Sequence, residues 1–375
     1  MPFIPVNSPD IGKFEKKKII ECIDSGWISS EGPFVSEFES KFAQIVDREF
    51  GIAVSSGTAA LDIAVKALNI SEGDEVILPS FSIISCVAAI VKAGAKPVLI
   101  DSKLDTWNMD ISKIEEKINK KTKAIMVVHT YGLPVEMDEV LELTKKYNLF
   151  LIEDAAEMHG QTYKNRKCGS FGDISTFSFY PNKHITTGEG GMLVCDSEKI
   201  ADRCRSLRNL CFQKNKRFVH EELGWNYRIT SLQAALGIAQ INKLEKNVIK
   251  KRKIGNLYRK YLENNKNIIL PIKKTNYARN IYWVFGLILK KNSLKDISFI
   301  MESLKKSGIG TRPFFWPVHL QPVFKKKGWF KNEAYPNSEY MANNGFYLPS
   351  GLSLKEIEIE YICEQLNIIL QDISK

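Results

Sequence analysis

Between about Gly51 and Val194, short apolar runs alternate with segments whose apolar positions recur every three to four residues. The runs fall at 51–54, 75–78, 97–100, 124–128, 150–152, 174–177 and 192–194, and the helically spaced segments between them include 59–68, 85–93 and 137–147. Strand alternating with helix predicts an α/β architecture, a mostly parallel sheet with helices on both faces. Ligands of such sheets bind beyond the carboxyl ends of the strands, so the loops after these runs are the places to look for chemistry.

After about Ile229 the pattern changes. Leu232, Ala235, Leu236, Ala239, Ile241, Leu244, Val248 and Ile249 keep helical spacing through residue 260, which predicts one or two long helices. An apolar run at 282–289, a helix-like stretch at 294–306, a proline-broken segment at 311–322 and a last helix at 356–373 predict a smaller α+β domain. The expected division is a large domain over 1–245 and a small C-terminal domain over 246–375.

Composition narrows the class. The chain has 375 residues with 44% hydrophobic and 26% charged, enough to bury a substantial core and unlike a disordered or collagen-like chain. Lys+Arg 53 against Asp+Glu 43 gives +10, spread as lysine pairs and triplets rather than gathered in one basic arm. A solvated lysine-rich surface therefore stands ahead of a nucleic-acid partner, and an anionic small-molecule substrate is compatible with the field. No run reaches the ~18 apolar residues of a spanning helix, and the first residues lack the order of a signal peptide, so a cytoplasmic location is expected. The seven cysteines are scattered without a C-x-x-C pair and the five histidines lack H-E-x-x-H spacing, so reduced thiols and no metal are expected.

Three loops carry chemical signal. Ser55-Ser56-Gly57-Thr58 follows a run and opens a helix, where free N–H groups and the positive end of the dipole can seat a phosphate; an ordinary N-cap is the commoner reason for such a sequence. Leu151-Ile152-Glu153-Asp154 ends an apolar strand in two acids. A half-buried carboxylate there needs a cation or donor facing it, such as the protonated nitrogen of a pyridine cofactor, with a helix-capping aspartate as the plainer alternative. The third loop, 178–191, delivers Lys183 into a turn rich in Thr and Gly between two apolar runs. A lysine held away from water loses part of its preference for the ammonium form, and its free amine can attack a carbonyl to make a Schiff base.

Phosphate seat, carboxylate and Schiff-base lysine are the contacts that pyridoxal 5′-phosphate asks of a protein. The chain resembles the DegT/DnrJ/EryC1/StrS family of sugar aminotransferases, of fold type I among pyridoxal-phosphate enzymes. The likeness runs nearly end to end, through residues 24–32, Gly73-Asp74-Glu75-Val76, Val128-His129-Thr130-Tyr131-Gly132, Gly224-Trp225-Asn226-Tyr227-Arg228 and Arg312-Pro313-Phe314-Phe315. It is greatest toward perosamine-type members, which aminate a GDP-linked 4-keto-6-deoxy sugar for surface polysaccharides.

The resemblance implies Lys183 as the cofactor lysine and Asp154 as the partner of the ring nitrogen, both catalytic. It implies Ser56, Gly57, Thr58 and Ser178 around the phosphate, and Glu157 near the ring hydroxyl, where relatives often have Gln. Asn226 matches an Asn that reaches the phosphate of a neighbouring subunit, which implies a homodimer with shared active sites. Members that dehydrate rather than transaminate put His at the lysine position, so Lys183 favours amination, with glutamate as the expected donor. One departure stands out: relatives stack an aromatic on the cofactor ring where this chain has Ile83, leaving Phe81 or an aliphatic contact for that place.

Arg312, Trp316 and His319 resemble the family's substrate-side loop, where a guanidinium suits a phosphate and aromatics suit a sugar or base. Simple packing of the two domains by Phe314, Phe315 and Trp316 explains the aromatics equally well. Two other functions stay open at this point: the same chemistry on a small phosphorylated ketone (dihydroxyacetone phosphate to serinol phosphate), and a binding or regulatory protein that kept the fold without catalysis.

Overall fold

The seven apolar runs become seven strands of one sheet in a computed structural model that describes residues 2–213, 215–290 and 297–373. They are β1 (Phe50–Val54), β2 (Glu75–Pro79), β3 (Lys96–Ile100), β4 (Thr122–Val128), β5 (Phe150–Asp154), β8 (Ile174–Ser178) and β9 (Gly191–Cys195), with a small hairpin of β6 (Thr162–Tyr163) and β7 (Arg166–Lys167) set apart. The order is β1-β9-β8-β5-β4-β2-β3. The pairs β2–β3, β2–β4, β4–β5 and β5–β8 are parallel, and β9 runs antiparallel to both its neighbours. No helix lies between β8 and β9, so the chain turns straight back, and a direct return gives an antiparallel pair.

Alternate residues of these strands feed two separate cores. Ala53, Ile77, Ile125, Leu151, Phe177 and Met192 face one, while Ile52, Val76, Ala124, Ile152, Ile174 and Leu193 face the other. Burial on both faces is why the runs are continuously apolar instead of alternating. The first core is closed by the helices Pro33–Ile45, Met137–Tyr147 and Ser231–Ile241, the second by Gly57–Ala67, Ile84–Lys92 and Glu198–Arg208.

The expected long helical region is two helices, Ser231–Ile241 and Leu244–Leu262. The second runs out of the large sheet's surroundings: Val248 and Leu244 lie against Gly160, whereas Ile254, Tyr258 and Leu262 enter a third core. That core lies under a four-stranded antiparallel sheet of order β10-β11-β13-β12, with β10 at Ile268–Ile269, β11 at Phe285–Leu289, β12 at Arg312–Pro313 and β13 at Gly345–Leu348. The helices Ile297–Lys306 and Glu356–Ile373 accompany it; residues 294–296 of the expected helix lie outside the described residues. The chain's first residues also lie on this smaller unit, since Ile4 exchanges backbone hydrogen bonds with Gly308 and Gly310 at 2.8 Å each. Among the described residues, no helix is long and apolar enough to cross a membrane.

Candidate active site

A cavity of about 380 Å³ opens at the carboxyl ends of β1, β5 and β8, lined among others by Ser56, Gly57, Thr58, Asp154, Glu157, Ser178 and Lys183. The three loops singled out in the sequence therefore converge on one place. They do so because parallel strands deliver their following loops to the same edge of the sheet.

The first loop is both cap and cradle. Ser56 Oγ accepts the Ala59 N–H at 3.1 Å, closing the helix start, while the N–H groups of Gly57 and Thr58 belong to the first turn, where a helix supplies no acceptor of its own. A Cβ on Gly57 would come within 2.8 Å of Ser178 Cβ, so glycine lets the helix end close on β8. Thr58 Oγ1 and Ser85 Oγ are 2.9 Å apart. Gly57→Ala is expected to weaken cofactor binding at least tenfold, because the added Cβ pressing on Ser178 would displace the helix end and its N–H groups from the phosphate, and losing one hydrogen bond to a charged group costs about 1.5–3 kcal/mol. An absorbance titration of the cofactor-free variant checks this, and an unchanged affinity would remove the phosphate from this seat.

The acidic loop divides its labour. Glu153 is fully buried and accepts hydrogen bonds from Gly169, Phe171 and Gly172 N–H, Ser175 Oγ and His129 Nε2. Burial alone would raise its pKa, but these donors, His129 first, hold it below the usual carboxylate range. His129, Glu153 and Cys168 form the cluster of metal-ligand type found among the described residues. His129 Nδ1 accepts the Val135 N–H at 3.0 Å, so its two nitrogens and the glutamate are already committed to protein hydrogen bonds.

Asp154 is the residue turned to the cavity. Its Oδ2 accepts from Cys86 Sγ and its Oδ1 from Ala156 N–H, each at 3.1 Å, and burial outweighs both so that its pKa is raised. A buried carboxyl pushed toward neutrality is one that a positively charged ring nitrogen would hold ionised. Glu157, three residues on, accepts the Tyr131 N–H at 2.6 Å and is pushed up to about 8, by burial first and by Asp154, against the opposing pull of Lys183 and that N–H.

Glu157 therefore keeps a proton in the folded protein that the unfolded chain releases near its ordinary 4.5. Its contribution falls as pH rises from about 4.5 to about 8 and is level above that. In thermal melts of the cofactor-free proteins between pH 5 and 8, wild type should lose stability with rising pH relative to Glu157→Gln, the buried bases His159, His184 and Lys251 contributing equally to both. Parallel slopes in the two proteins would contradict a neutral Glu157.

Lys183 stands in the turn after β8, with its N–H bonded to Tyr180 O at 2.9 Å. The turn is braced from both sides: Asn7 Nδ2 donates to Pro181 O at 2.9 Å and Asn247 Nδ2 to His184 O at 2.8 Å. Thr186 Oγ1 donates to Phe179 O, and Gly190, at φ 158° and close to Thr187 Oγ1, permits the tight return into β9. The side chain is 8% exposed. Burial lowers its pKa, against the raising pull of Glu157 and Asp154.

These groups fit pyridoxal 5′-phosphate: a cradle of N–H donors, a buried carboxyl pushed toward neutrality, and a buried amine lining the same cavity. The DegT/DnrJ/EryC1/StrS aminotransferase family model matches residues 9–367. The chain belongs to this family. It is a pyridoxal-phosphate-dependent aminotransferase. It is 41% identical to the GDP-perosamine synthase of Escherichia coli O157:H7, covering 99% of this chain and 100% of that protein. It is 38% identical to that of Vibrio cholerae, covering 96% and 97%. Among solved structures it is similar to the PLP form of a Streptococcus pneumoniae protein assigned as a sugar aminotransferase, with 26% identity, a TM-score of 0.90, and coverage of 100% and 99%. These relatives favour neither the phosphorylated-ketone reading nor that of a non-catalytic protein.

Within this DegT-family site, Ile83 lines the cavity at the start of the helix Ile84–Lys92. Phe81 is fully buried behind it, packed on Tyr131, Phe314 and Phe315, so the aliphatic contact is the one the structure offers. Asn226 is exposed and does not line this cavity; its segment pairs with β1 through Ser55 N–H to Tyr227 O at 2.8 Å. Arg312, Trp316 and His319 do not line the cavity either. Arg312 is exposed opposite Tyr347, a wall residue, while Trp316 Nε1 donates to Leu320 O. His319 is buried and paired with Glu339 at 2.9 Å, turned inward by the short helical turn that follows Pro317. Trp283, Phe315 and Tyr347, all from the smaller unit, complete the wall.

Proposed function

We propose that this chain moves an amino group from glutamate to the keto group of a nucleotide-linked 4-keto-6-deoxy sugar, as GDP-perosamine synthases do, in the making of surface polysaccharide. The observation that carries the proposal is the buried amine of Lys183 in one cavity with Asp154 and Glu157, in a chain alike end to end with those enzymes.

Bound in this cavity, the cofactor supplies a carbonyl carbon to carry the amino group and a ring to spread negative charge. Lys183, its ammonium form disfavoured by burial, has a free amine to take the proton from the donor's α-carbon and return it as an acid. Asp154 holds the proton on the ring nitrogen. Glu157, neutral below about 8, presents an O–H donor toward the ring hydroxyl where many relatives have an amide. Gly57 and Thr58 N–H groups, with Ser56 and the Ser178 hydroxyl, hold the phosphate, joined by Asn226 from the second subunit of a homodimer. Arg312, opposite the wall residue Tyr347, and Trp316, next to the wall residue Phe315, receive the nucleotide end of the substrate, with His319 fixing their segment through Glu339.

Steady-state assays with glutamate should show amination of a GDP-4-keto-6-deoxy sugar at least a hundredfold more efficient, in kcat/KM, than of dihydroxyacetone phosphate; that ratio is about 2.7 kcal/mol of transition-state discrimination. Equal or reversed efficiencies would replace the proposed acceptor.

A further inference from the structure

The wall that faces the Lys183 amine is made by a ring. Lys183 Nζ lies 3.8 Å from the centroid of the Trp283 ring, the shortest approach of a cation to an aromatic ring among the described residues. Trp283 is 4% exposed and its Nε1 has no hydrogen-bond partner among the described residues, so the main chain and packing set the ring's position.

That main chain is tightly specified. Tyr282 adopts φ 50°, a left-handed conformation that costs a bulky residue energy and persists only where its surroundings impose it. Its N–H donates to Asn280 Oδ1 at 2.7 Å, and the Ile281 N–H to Gly132 O at 3.1 Å. Cβ atoms on Gly132 and Gly255 would strike this segment at 2.7 and 2.3 Å, so both glycines are needed for its approach. Beneath it, the buried Lys251 Nζ donates to Trp283 O at 2.8 Å and Ser350 O at 2.6 Å. Burial, and then the charge of Lys183, push Lys251 down to about 7, so an amine is kept there at a cost in ionisation, bonded only to main chain.

We infer that Trp283 is a catalytic contact, its indole face seating the Lys183 amine while that amine is free of the cofactor, and that Lys251 is the positioning residue that fixes the ring through the Trp283 carbonyl. The inference rests on Lys183 being the cofactor lysine. A proton-carrying amine needs a place that favours its charged form without an acceptor that would trap the proton, and an aromatic face offers attraction with no strong acceptor. Trp283 makes and breaks no bond. The charged groups acting on the amine are Glu157 and Asp154, which favour the ammonium; its own charge in turn helps keep the neighbouring His184 and the nearby His159 and Lys251 toward their neutral forms.

The test uses the holoenzyme converted by excess glutamate to its amino form, in which Lys183 is free. Competitive labelling with acetic anhydride across pH, read by mass spectrometry, gives the midpoint of the Lys183 amine. The expected order of midpoints is wild type, then Trp283→Phe, then Trp283→Leu, the last lower than wild type by about one unit or more. In Trp283→Leu kcat should fall at least tenfold with KM for glutamate within about threefold, the pattern of an interaction made after binding. Lys251→Met should also lower kcat, yet add little to Trp283→Leu in the double variant. Unchanged midpoints, or a loss appearing only in KM, would overturn the role of Trp283, and additive losses that of Lys251. Borohydride trapping on the same preparations before glutamate is added reports separately on the cofactor lysine: label away from Lys183 would overturn both readings, whereas label on Lys183 with unmoved midpoints removes only the Trp283 seat.

Discussion

Lys183→Ala is expected to abolish amination while leaving the fold intact. The amine lines the cavity beside Asp154 and Glu157, with burial already disfavouring its charged form, whereas His129, which also lines it, has both ring nitrogens in protein hydrogen bonds. General acid–base transfer alone contributes about 10²–10⁴-fold, and the lysine's covalent role adds to that, so turnover should drop by at least 10⁴-fold. Stability should move little. Among the described residues the Lys183 side chain makes no ion pair and touches the Trp283 ring, its turn is held by main-chain contacts and by Asn7 and Asn247, and the methylenes lost border an existing cavity. Amination assays beside thermal melts separate the two effects. Residual amination above a thousandth of wild type would show that another group moves the proton, and a collapse of the melt would assign Lys183 to the structure.

Asp154→Asn has the second largest expected effect. The amide is close in shape to the carboxyl and can still accept the Ala156 N–H, so the local turn after β5 should survive. What it loses is the negative charge that, in the proposed function, keeps a proton on the ring nitrogen and so lets the ring accept electrons. One preorganised electrostatic contact in a water-poor site is worth about 3 kcal/mol or more, which is over a hundredfold in kcat. The neutral amide is also free of the desolvation that raises the Asp154 pKa, so the cofactor-free variant should melt no lower than wild type. A loss in kcat below about tenfold, roughly 1.4 kcal/mol, would mean that the Asp154 charge is not used.

The large sheet could be read from the chain because both its faces are buried. All seven apolar runs are strands, and the three loops chosen for their chemistry end at one sheet edge, as parallel topology requires. The division of Glu153 from Asp154 was not legible: adjacent acids on a strand point to opposite faces, and which face is the hydrogen-bonded hub depends on His129 and the loop at 169–172 that leads into β8. Nor could the sequence reveal Trp283, Phe315 and Tyr347, because an aromatic that packs a core and one that lines a pocket look the same before the smaller unit is docked. The substrate-side segment shows the same limit. Arg312, Trp316 and His319 are close in sequence, yet β12 and the turn after Pro317 send the first two outward and the third into a pair with Glu339. The N-terminal strand-like pairing of Ile4 with Ile309, and the Asn7 brace on the lysine turn 174 residues away, are long-range contacts that no local pattern encodes.

The proposed function requires the side-chain nitrogen of Lys183 to be the point of covalent attachment for pyridoxal 5′-phosphate. Borohydride reduction of the holoenzyme followed by peptide mass spectrometry tests it most directly. A reduced pyridoxyl group on the peptide containing Lys183, and its absence from the Lys183→Ala variant, is the predicted result. A label on a different residue, or a protein that takes up no label, would rule out Lys183 as the cofactor lysine.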